Sequence, residues 1–228
     1  MYSKIYIDPT FWTGSADNNV KDNDISDFQI LHWSGPLSIT ARLNIFEELV
    51  PETTNMLIDL GCGCGHLLEA WLTKSPMFKA LGVEYSLNSL KRASKRLSLY
   101  QTQHSLIYST IPCFLESSSL FDINSVDTLV CLIGVLQNCM VDPFVLLTSI
   151  CKSLKFRHLF LTTKVTNDKE YLSQFDPYHE RHSLFYSKEL YSCFEQNNLT
   201  CIKQKPIFVS PKQKLTFNYA FLLENSLF

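Results

Sequence analysis

The chain has 228 residues and a formal net charge of −2, with 46% apolar and 18% charged residues. This composition supports a sizeable core and excludes a chain that is disordered overall. Near-neutral charge removes the usual electrostatic reason to expect a nucleic-acid partner. No apolar run reaches the ~18 residues that span a bilayer, so no membrane partner is expected either.

The eight cysteines form neither a disulfide scaffold nor a metal-binding pattern. They include no C-x-x-C pair, and most lie in apolar or helical runs, where cysteine behaves as a small hydrophobe. Cys62 and Cys64 are neighbours in sequence, but two thiolates alone make a poor zinc site. We therefore predict no metal and a reducing, cytoplasmic compartment.

Residues 36–49 place their apolar side chains largely on one side of a predicted helix. Trp33 comes just before this segment and is a candidate to line a substrate opening. Its alternative is ordinary packing of the indole against a sheet.

Three of the seven glycines, Gly61, Gly63 and Gly65, fall within five residues. An apolar run of strand length leads into them, and apolar residues at helical spacing follow. The pattern predicts a strand, a tight turn and a helix. In open α/β sheets such a turn lies at the carboxyl edge, where ligands bind.

The charge beside this turn favours a cationic ligand over a pyrophosphate. Asp59 stands two residues before the first glycine, and a carboxylate there repels phosphate but suits an ammonium or sulfonium group. His66 occupies the place of the third glycine in a dinucleotide fingerprint, and no Walker lysine follows.

The segment from Ile58 to Gly65 resembles motif I of the class I S-adenosylmethionine-dependent methyltransferases. Residues 79–84 follow as a second strand that ends in an acid, Glu84. The resemblance implies a doubly wound α/β fold, with a mostly parallel seven-stranded sheet, helices on both faces and the last strand antiparallel. It also implies S-adenosylmethionine as cofactor, a methyltransferase domain over residues 51–228, and a partial lid within residues 1–50.

The resemblance further implies which residues hold the cofactor. Glu84 accepts hydrogen bonds from both ribose hydroxyls, and Glu116 lies near the adenine amino group. Arg42 pairs with the methionyl carboxylate, for which a guanidinium is well shaped; a solvated helix charge is the alternative. The strand before Glu116 is left open, because apolar residues occur at 106–108 and at 113–115. The other expected cofactor-binding residues are Asp59, Gly61, Cys62, Gly63, Gly65, Tyr85 and Ser117.

The acceptor is predicted to be a small molecule. No lysine or arginine occurs from residue 97 to 151, and the resulting acidic rim disfavours phosphate-rich substrates. Gln137 and Tyr178, with Trp33, are the predicted substrate-binding residues. His179 and His182 are the candidate general bases, because imidazole titrates near neutral pH; a solvated loop is the alternative.

The remaining elements follow in order along the chain. Ser86 is a predicted N-cap, and Asp142 caps a helix that has Pro143 at its first position. Residues 159–163, 199–204 and 215–223 are predicted strands. The predicted reaction is methyl transfer to an O, N or C nucleophile, and the oligomeric state is left open. A non-catalytic cofactor-binding scaffold and a nicotinamide-dependent oxidoreductase are the alternatives.

Overall fold

A computed structural model describes residues 36–120, 127–136, 141–174, 184–208 and 217–228. The helices are α1 (Pro36–Leu49), α2 (His66–Leu72), α3 (Leu87–Arg96), α4 (Ile111–Glu116), α5 (Pro143–Ser153), α6 (Lys169–Gln174) and α7 (Ser187–Gln196). The strands are β1 (Met56–Leu60), β2 (Lys79–Glu84), β3 (His104–Tyr108), β4 (Thr128–Ile133), β5 (His158–Thr166), β6 (Phe185–Tyr186), β7 (Leu199–Phe208) and β8 (Phe217–Asn225).

The strands form one mostly parallel sheet in the order β3-β2-β1-β4-β5-β8-β7. Strands β1 to β5 are parallel, and β8 runs antiparallel to both of its neighbours. This path of seven strands confirms the predicted fold. The short β6 adds an eighth strand, which pairs in parallel with the last two residues of β5. The strand order reverses between β1 and β4, which is where doubly wound sheets bind ligands.

Helices cover both faces of the sheet, because neighbouring strand residues point to opposite sides. On one side Leu57 joins a core with α1 and α2. On the other side Ile58 joins a core with α4, α5 and α7. The near-continuous apolar sequence of the central strands therefore follows from burial on both faces.

Helix α1 is anchored in the same core as the first strand. The Phe46 ring is fully buried. It packs edge-on against the Phe160 ring, with 5.3 Å between ring centroids, and against the Trp71 ring, with 6.3 Å between centroids. Leu49, one turn further on, is also buried. The boundary predicted after residue 50 therefore does not separate two cores. Residues 1–35 lie outside the described residues, so the lid stays a prediction.

Replacing Phe46 with alanine is expected to lower the free energy of unfolding by about 3–5 kcal/mol, because the ring leaves a cavity between α1 and the sheet. Urea unfolding followed by tryptophan fluorescence and by circular dichroism measures this loss. Phe46→Leu, which keeps most of the apolar volume, is the matched control. A transition of unchanged midpoint in Phe46→Ala would contradict the shared core.

The N-caps predicted at Ser86 and Asp142 are confirmed. The Ser86 hydroxyl accepts a hydrogen bond from the backbone N–H of Ser89 at 3.3 Å. The Asp142 carboxylate accepts from Phe144 and Val145 at 2.8 and 3.1 Å. Among the described residues, no helix is long and apolar enough to cross a membrane.

Candidate functional site

The glycine turn after β1 has a backbone that only glycine adopts easily. Gly61, Gly63 and Gly65 have φ of 82°, 52° and 80°, in the left-handed region. A Cβ on Gly65 would lie 3.0 Å from the Cβ of Ala93, so this glycine also lets α2 approach α3. The Gly61 N–H donates to the Val83 carbonyl at 2.8 Å, which fixes the turn against the end of β2.

Glu84, the last residue of β2, lies directly beneath this turn. Its side chain is 7% exposed. One carboxylate oxygen accepts from the Gly63 N–H at 2.9 Å, and the other accepts from the Ser86 N–H at 2.7 Å. Burial raises the pKa of Glu84, and the backbone donors oppose that shift. Each carboxylate oxygen has a second acceptor position, so Glu84 retains the capacity to bind two ligand hydroxyls.

Asp59 lies on β1 beside the turn, in register between Gly82 of β2 and Cys131 of β4. Its side chain is 3% exposed. Burial, and then the nearby Glu84 carboxylate, raise the pKa of Asp59 to about 7. A cation bound beside it would favour the ionised form and reverse part of this shift.

Cys62 contributes its backbone to the turn, while its thiol packs into the protein. A Cβ on Gly82 would lie 2.8 Å from the Cys62 sulfur, so the thiol fills the space above this glycine. Burial raises the pKa of Cys62 well above its usual range. The predicted contact from Cys62 to the cofactor is therefore limited to its main chain.

Tyr85 follows Glu84 and is half-buried. Its hydroxyl is buried and has no hydrogen-bond partner among the described residues. Burial, and then Glu84, raise the pKa of this phenol. The phenol therefore stays neutral.

The structure decides between the two strand positions left open before Glu116, in favour of the earlier one, while the contact of Glu116 with the adenine amino group stays a prediction. Strand β3 ends at Tyr108, and residues 111–116 form helix α4. Glu116 is the exposed last residue of α4. The Ser117 hydroxyl donates back to the Phe114 carbonyl at 3.1 Å. Ser109 and Thr110, not Glu116, are the first residues beyond β3.

Arg42 lies on the sheet-facing side of α1, between the buried Ile39 and Phe46. Its guanidinium donates to the Ser38 carbonyl at 2.9 Å and to the Ser38 hydroxyl. Burial lowers the pKa of Arg42. The guanidinium is therefore turned toward the first turn of the helix.

Five predicted residues lie outside the described residues, and their roles stay predictions. They are Trp33, Gln137, Tyr178, His179 and His182.

A contact that sequence reasoning missed fixes the end of β4. Gly134 has a φ of 69°, and its N–H donates to the Thr162 carbonyl at 3.2 Å and to the Thr162 hydroxyl at 2.9 Å. The next residue, Val135, limits the space at Gly61, where a Cβ would lie 2.8 Å from its methyl group. A lone glycine after an apolar strand was the available signal in the sequence.

Comparisons with known proteins agree with this fold. A family model described as a methyltransferase domain matches residues 52–207, and no curated protein matches the sequence. Three similar solved structures are a Leishmania major S-adenosylmethionine-dependent methyltransferase, the Streptomyces coelicolor A3(2) geranyl diphosphate C-methyltransferase and the Synechocystis PCC 6803 magnesium protoporphyrin IX methyltransferase.

The three structures share the fold at low sequence identity. The Leishmania enzyme has a TM-score of 0.62 and 16% identity, over 93% of this chain and 83% of its own. The Streptomyces enzyme has a TM-score of 0.61 and 11% identity, over 82% of this chain and 79% of its own. The Synechocystis enzyme has a TM-score of 0.56 and 11% identity, over 88% of this chain and 82% of its own. Because the family model covers more than half of the sequence, this chain belongs to the methyltransferase-domain family.

Proposed function

We propose that this protein transfers a methyl group from S-adenosylmethionine to an O, N or C nucleophile of a small molecule. The observation that carries the proposal is the Glu84 carboxylate, which the Gly63 and Ser86 N–H groups hold at the end of β2. A carboxylate fixed in this way accepts hydrogen bonds from a vicinal diol such as the ribose hydroxyls.

The other described residues fit the same cofactor. The glycine turn brings backbone close to the ligand, and Asp59 places a carboxylate beside it for a cationic group. Arg42 is the proposed partner of the methionyl carboxylate. When bound, S-adenosylmethionine supplies an already electrophilic methyl group. The protein therefore has to position the nucleophile in line and exclude water.

A small-molecule acceptor is supported by charge and by the comparisons. Residues 97–151 carry Glu116, Asp122, Asp127 and Asp142 and no lysine or arginine. One similar structure is a methyltransferase whose name specifies magnesium protoporphyrin IX, a small molecule without phosphate. We place the reaction in the cytoplasm, which the seven free cysteines of the described residues support, since a reducing compartment keeps thiols free.

His179 and His182 are the proposed general bases where the nucleophile is not already ionised. Replacing both with alanine is expected to lower turnover about 100-fold, because a positioned base contributes roughly that much. Steady-state rates between about pH 6 and 9 measure the effect. S-adenosylhomocysteine affinity should be unchanged in the same variant. If the double variant turned over as fast as the wild type over this whole pH range, neither histidine would be the base.

Calorimetric titration of the full chain with S-adenosylmethionine, S-adenosylhomocysteine and NADH tests the proposed function. Micromolar affinity for the first two ligands alone is the expected result. Binding of NADH alone would favour the oxidoreductase alternative. Cofactor binding with no turnover over a panel of small-molecule acceptors would favour a non-catalytic scaffold.

A further inference from the structure

Strand β3 is one outer edge of the sheet, and its pairing with β2 determines which of its backbone groups point outward. The Ala80 N–H donates to the Gln103 carbonyl at 2.9 Å, and the Ser109 N–H donates to the Glu84 carbonyl at 3.1 Å. Successive residues of a strand direct their N–H and C=O groups to opposite edges. The backbone groups that face β2 therefore belong to residues 103, 105, 107 and 109, and those of residues 104, 106 and 108 point away from the sheet.

This β3 edge lacks the usual protection against a further strand. Its sequence, His104–Tyr108, contains no lysine, proline or glycine, and its pairing with β2 has no register shift. Tyr108 is 63% exposed. Within the part of the chain that the structure describes, no group hydrogen-bonds to the outward backbone groups of β3. Unpaired edge groups of this kind are a template for another strand.

The opposite edge of the same sheet is protected. Strand β7 carries Lys203, Lys205 and Pro206, and its pairing with β8 has two register shifts. Lysine, proline and bulges are the features by which proteins prevent pairing at an edge. Of the two outer strands, β3 is therefore the one whose backbone is suited to accept a partner.

Helix α3 packs over β2 and β3 and gives this side of the sheet a positive charge. Residues 85–115 contain four lysines and arginines, all in α3, and no acidic residue. Arg96 is directed toward α2, where it donates to the Cys64 carbonyl at 3.0 Å and pairs with Glu69 at 2.8 Å. Lys91 and Lys95 are exposed and lie one helical turn apart. Acidic groups beside β3 would therefore be attracted.

The charge of α3 decides between the possible partners. A second copy that paired with β3 in the antiparallel direction would place both α3 helices on the same face of one continuous sheet, and like charges brought together are destabilising. Nucleic acids and lipids carry negative charge but lack the alternating N–H and C=O groups of a strand. An extended acidic peptide provides both the hydrogen bonds and the charge.

We propose that the β3 edge binds an extended acidic segment of a partner protein, which adds one strand to the sheet beside α3. The added strand forms its hydrogen bonds with residues 104, 106 and 108, as in other cases of strand addition. Its acidic side chains on the α3 face interact with Lys91 and Lys95, which sets the preference for an acidic partner. This surface does not depend on the proposed function.

Fluorescence anisotropy with a fluorescein-labelled peptide of sequence TEVEVET tests the charge preference. The full chain should bind it at micromolar concentrations in about 50 mM salt, and the peptide TKVKVKT should not bind. Lys91→Gln combined with Lys95→Gln should weaken binding about tenfold. The matched control is Lys188→Gln combined with Lys203→Gln, at exposed positions of α7 and β7. No binding of TEVEVET, or an equal loss in both double variants, would overturn the proposal.

N-methylated peptides test the backbone pairing. Methylation of the three glutamate nitrogens blocks one edge of the peptide, and methylation of the alternate nitrogens blocks the other. One of these peptides should bind and the other should not, since a single edge meets β3. Binding of both peptides would show that no strand is added.

Substitution and hydrogen exchange locate the added strand. Tyr108→Pro removes an outward N–H that β2 does not use and should weaken TEVEVET about tenfold, whereas Tyr108→Val keeps the N–H and should bind normally. Bound peptide should slow exchange of the Leu106 amide about tenfold and change that of Ser105, which faces β2, less than about twofold. Unchanged exchange at Leu106 contradicts the proposal. A dimer of the free chain that Tyr108→Pro dissociates would assign the edge to a second copy instead.

Discussion

Replacing Glu84 with glutamine is expected to weaken S-adenosylhomocysteine binding about 100-fold. Each charge-assisted hydrogen bond to a ribose hydroxyl contributes about 1.5–3 kcal/mol, and the variant loses the charge behind both of them. The new amide nitrogen is also a donor. It faces the N–H of Gly63 or of Ser86, which are donors as well, so the side chain can no longer keep both hydrogen bonds.

The same substitution should leave the fold in place. It removes a buried carboxyl whose pKa is raised by desolvation, so the folded protein no longer has to bury this charge. The free energy gained in this way offsets much of the free energy lost with the backbone hydrogen bond. We expect a change in unfolding free energy of about 1 kcal/mol or less. Isothermal titration measures affinity, and urea unfolding measures stability. Glu195→Gln, at an exposed position of α7, is the control. If Glu84→Gln bound S-adenosylhomocysteine with wild-type affinity, Glu84 would not bind the ribose hydroxyls.

The glycine turn and Glu84 could be predicted from the sequence because their constraints are local. A scarce residue type clustered after an apolar strand indicates positive φ values, and all three glycines have them. Glu84 follows at the end of the next apolar strand, and parallel strands bring both to one edge. Short-range pattern and sheet geometry were sufficient here.

The strand before Glu116 could not be located from the sequence because the segment is ambiguous. Residues 111–116 are mostly apolar, and such a short run is consistent with a strand or a helix. The local signal that decides is Thr110, whose hydroxyl accepts from the Cys113 N–H, with Pro112 in the first turn. An N-cap followed by proline favours a helix start, so the strand had to end earlier.

Asparagine at position 59 is expected to stabilise the cofactor-free protein at pH 8 by about 2–4 kcal/mol. Burial and Glu84 raise the pKa of Asp59 from an ordinary 3.8 to about 7. A carboxyl whose folded pKa is raised contributes its full stability below the unfolded pKa and loses it as pH rises through the folded one. The wild type should therefore lose stability between about pH 4 and 7, and Asp59→Asn should not.

Cofactor affinity should move in the opposite direction. A cationic ligand favours ionised Asp59, so wild-type affinity for S-adenosylmethionine should fall by up to about tenfold per pH unit below pH 7. Asp59→Asn should bind more weakly at pH 8 and show less of this slope. Urea unfolding and calorimetry at a series of pH values measure both quantities, with Glu195→Gln as the control.

The pH dependence of stability and the pH dependence of cofactor affinity together separate a binding role for Asp59 from a structural one. A side chain retained only for packing would lower stability when replaced and leave the pH dependence of binding intact. A carboxylate retained for a cationic ligand destabilises the empty site and is compensated when the ligand binds. A gain in stability at pH 8 together with a loss of affinity in Asp59→Asn is therefore the result that assigns Asp59 to the cofactor.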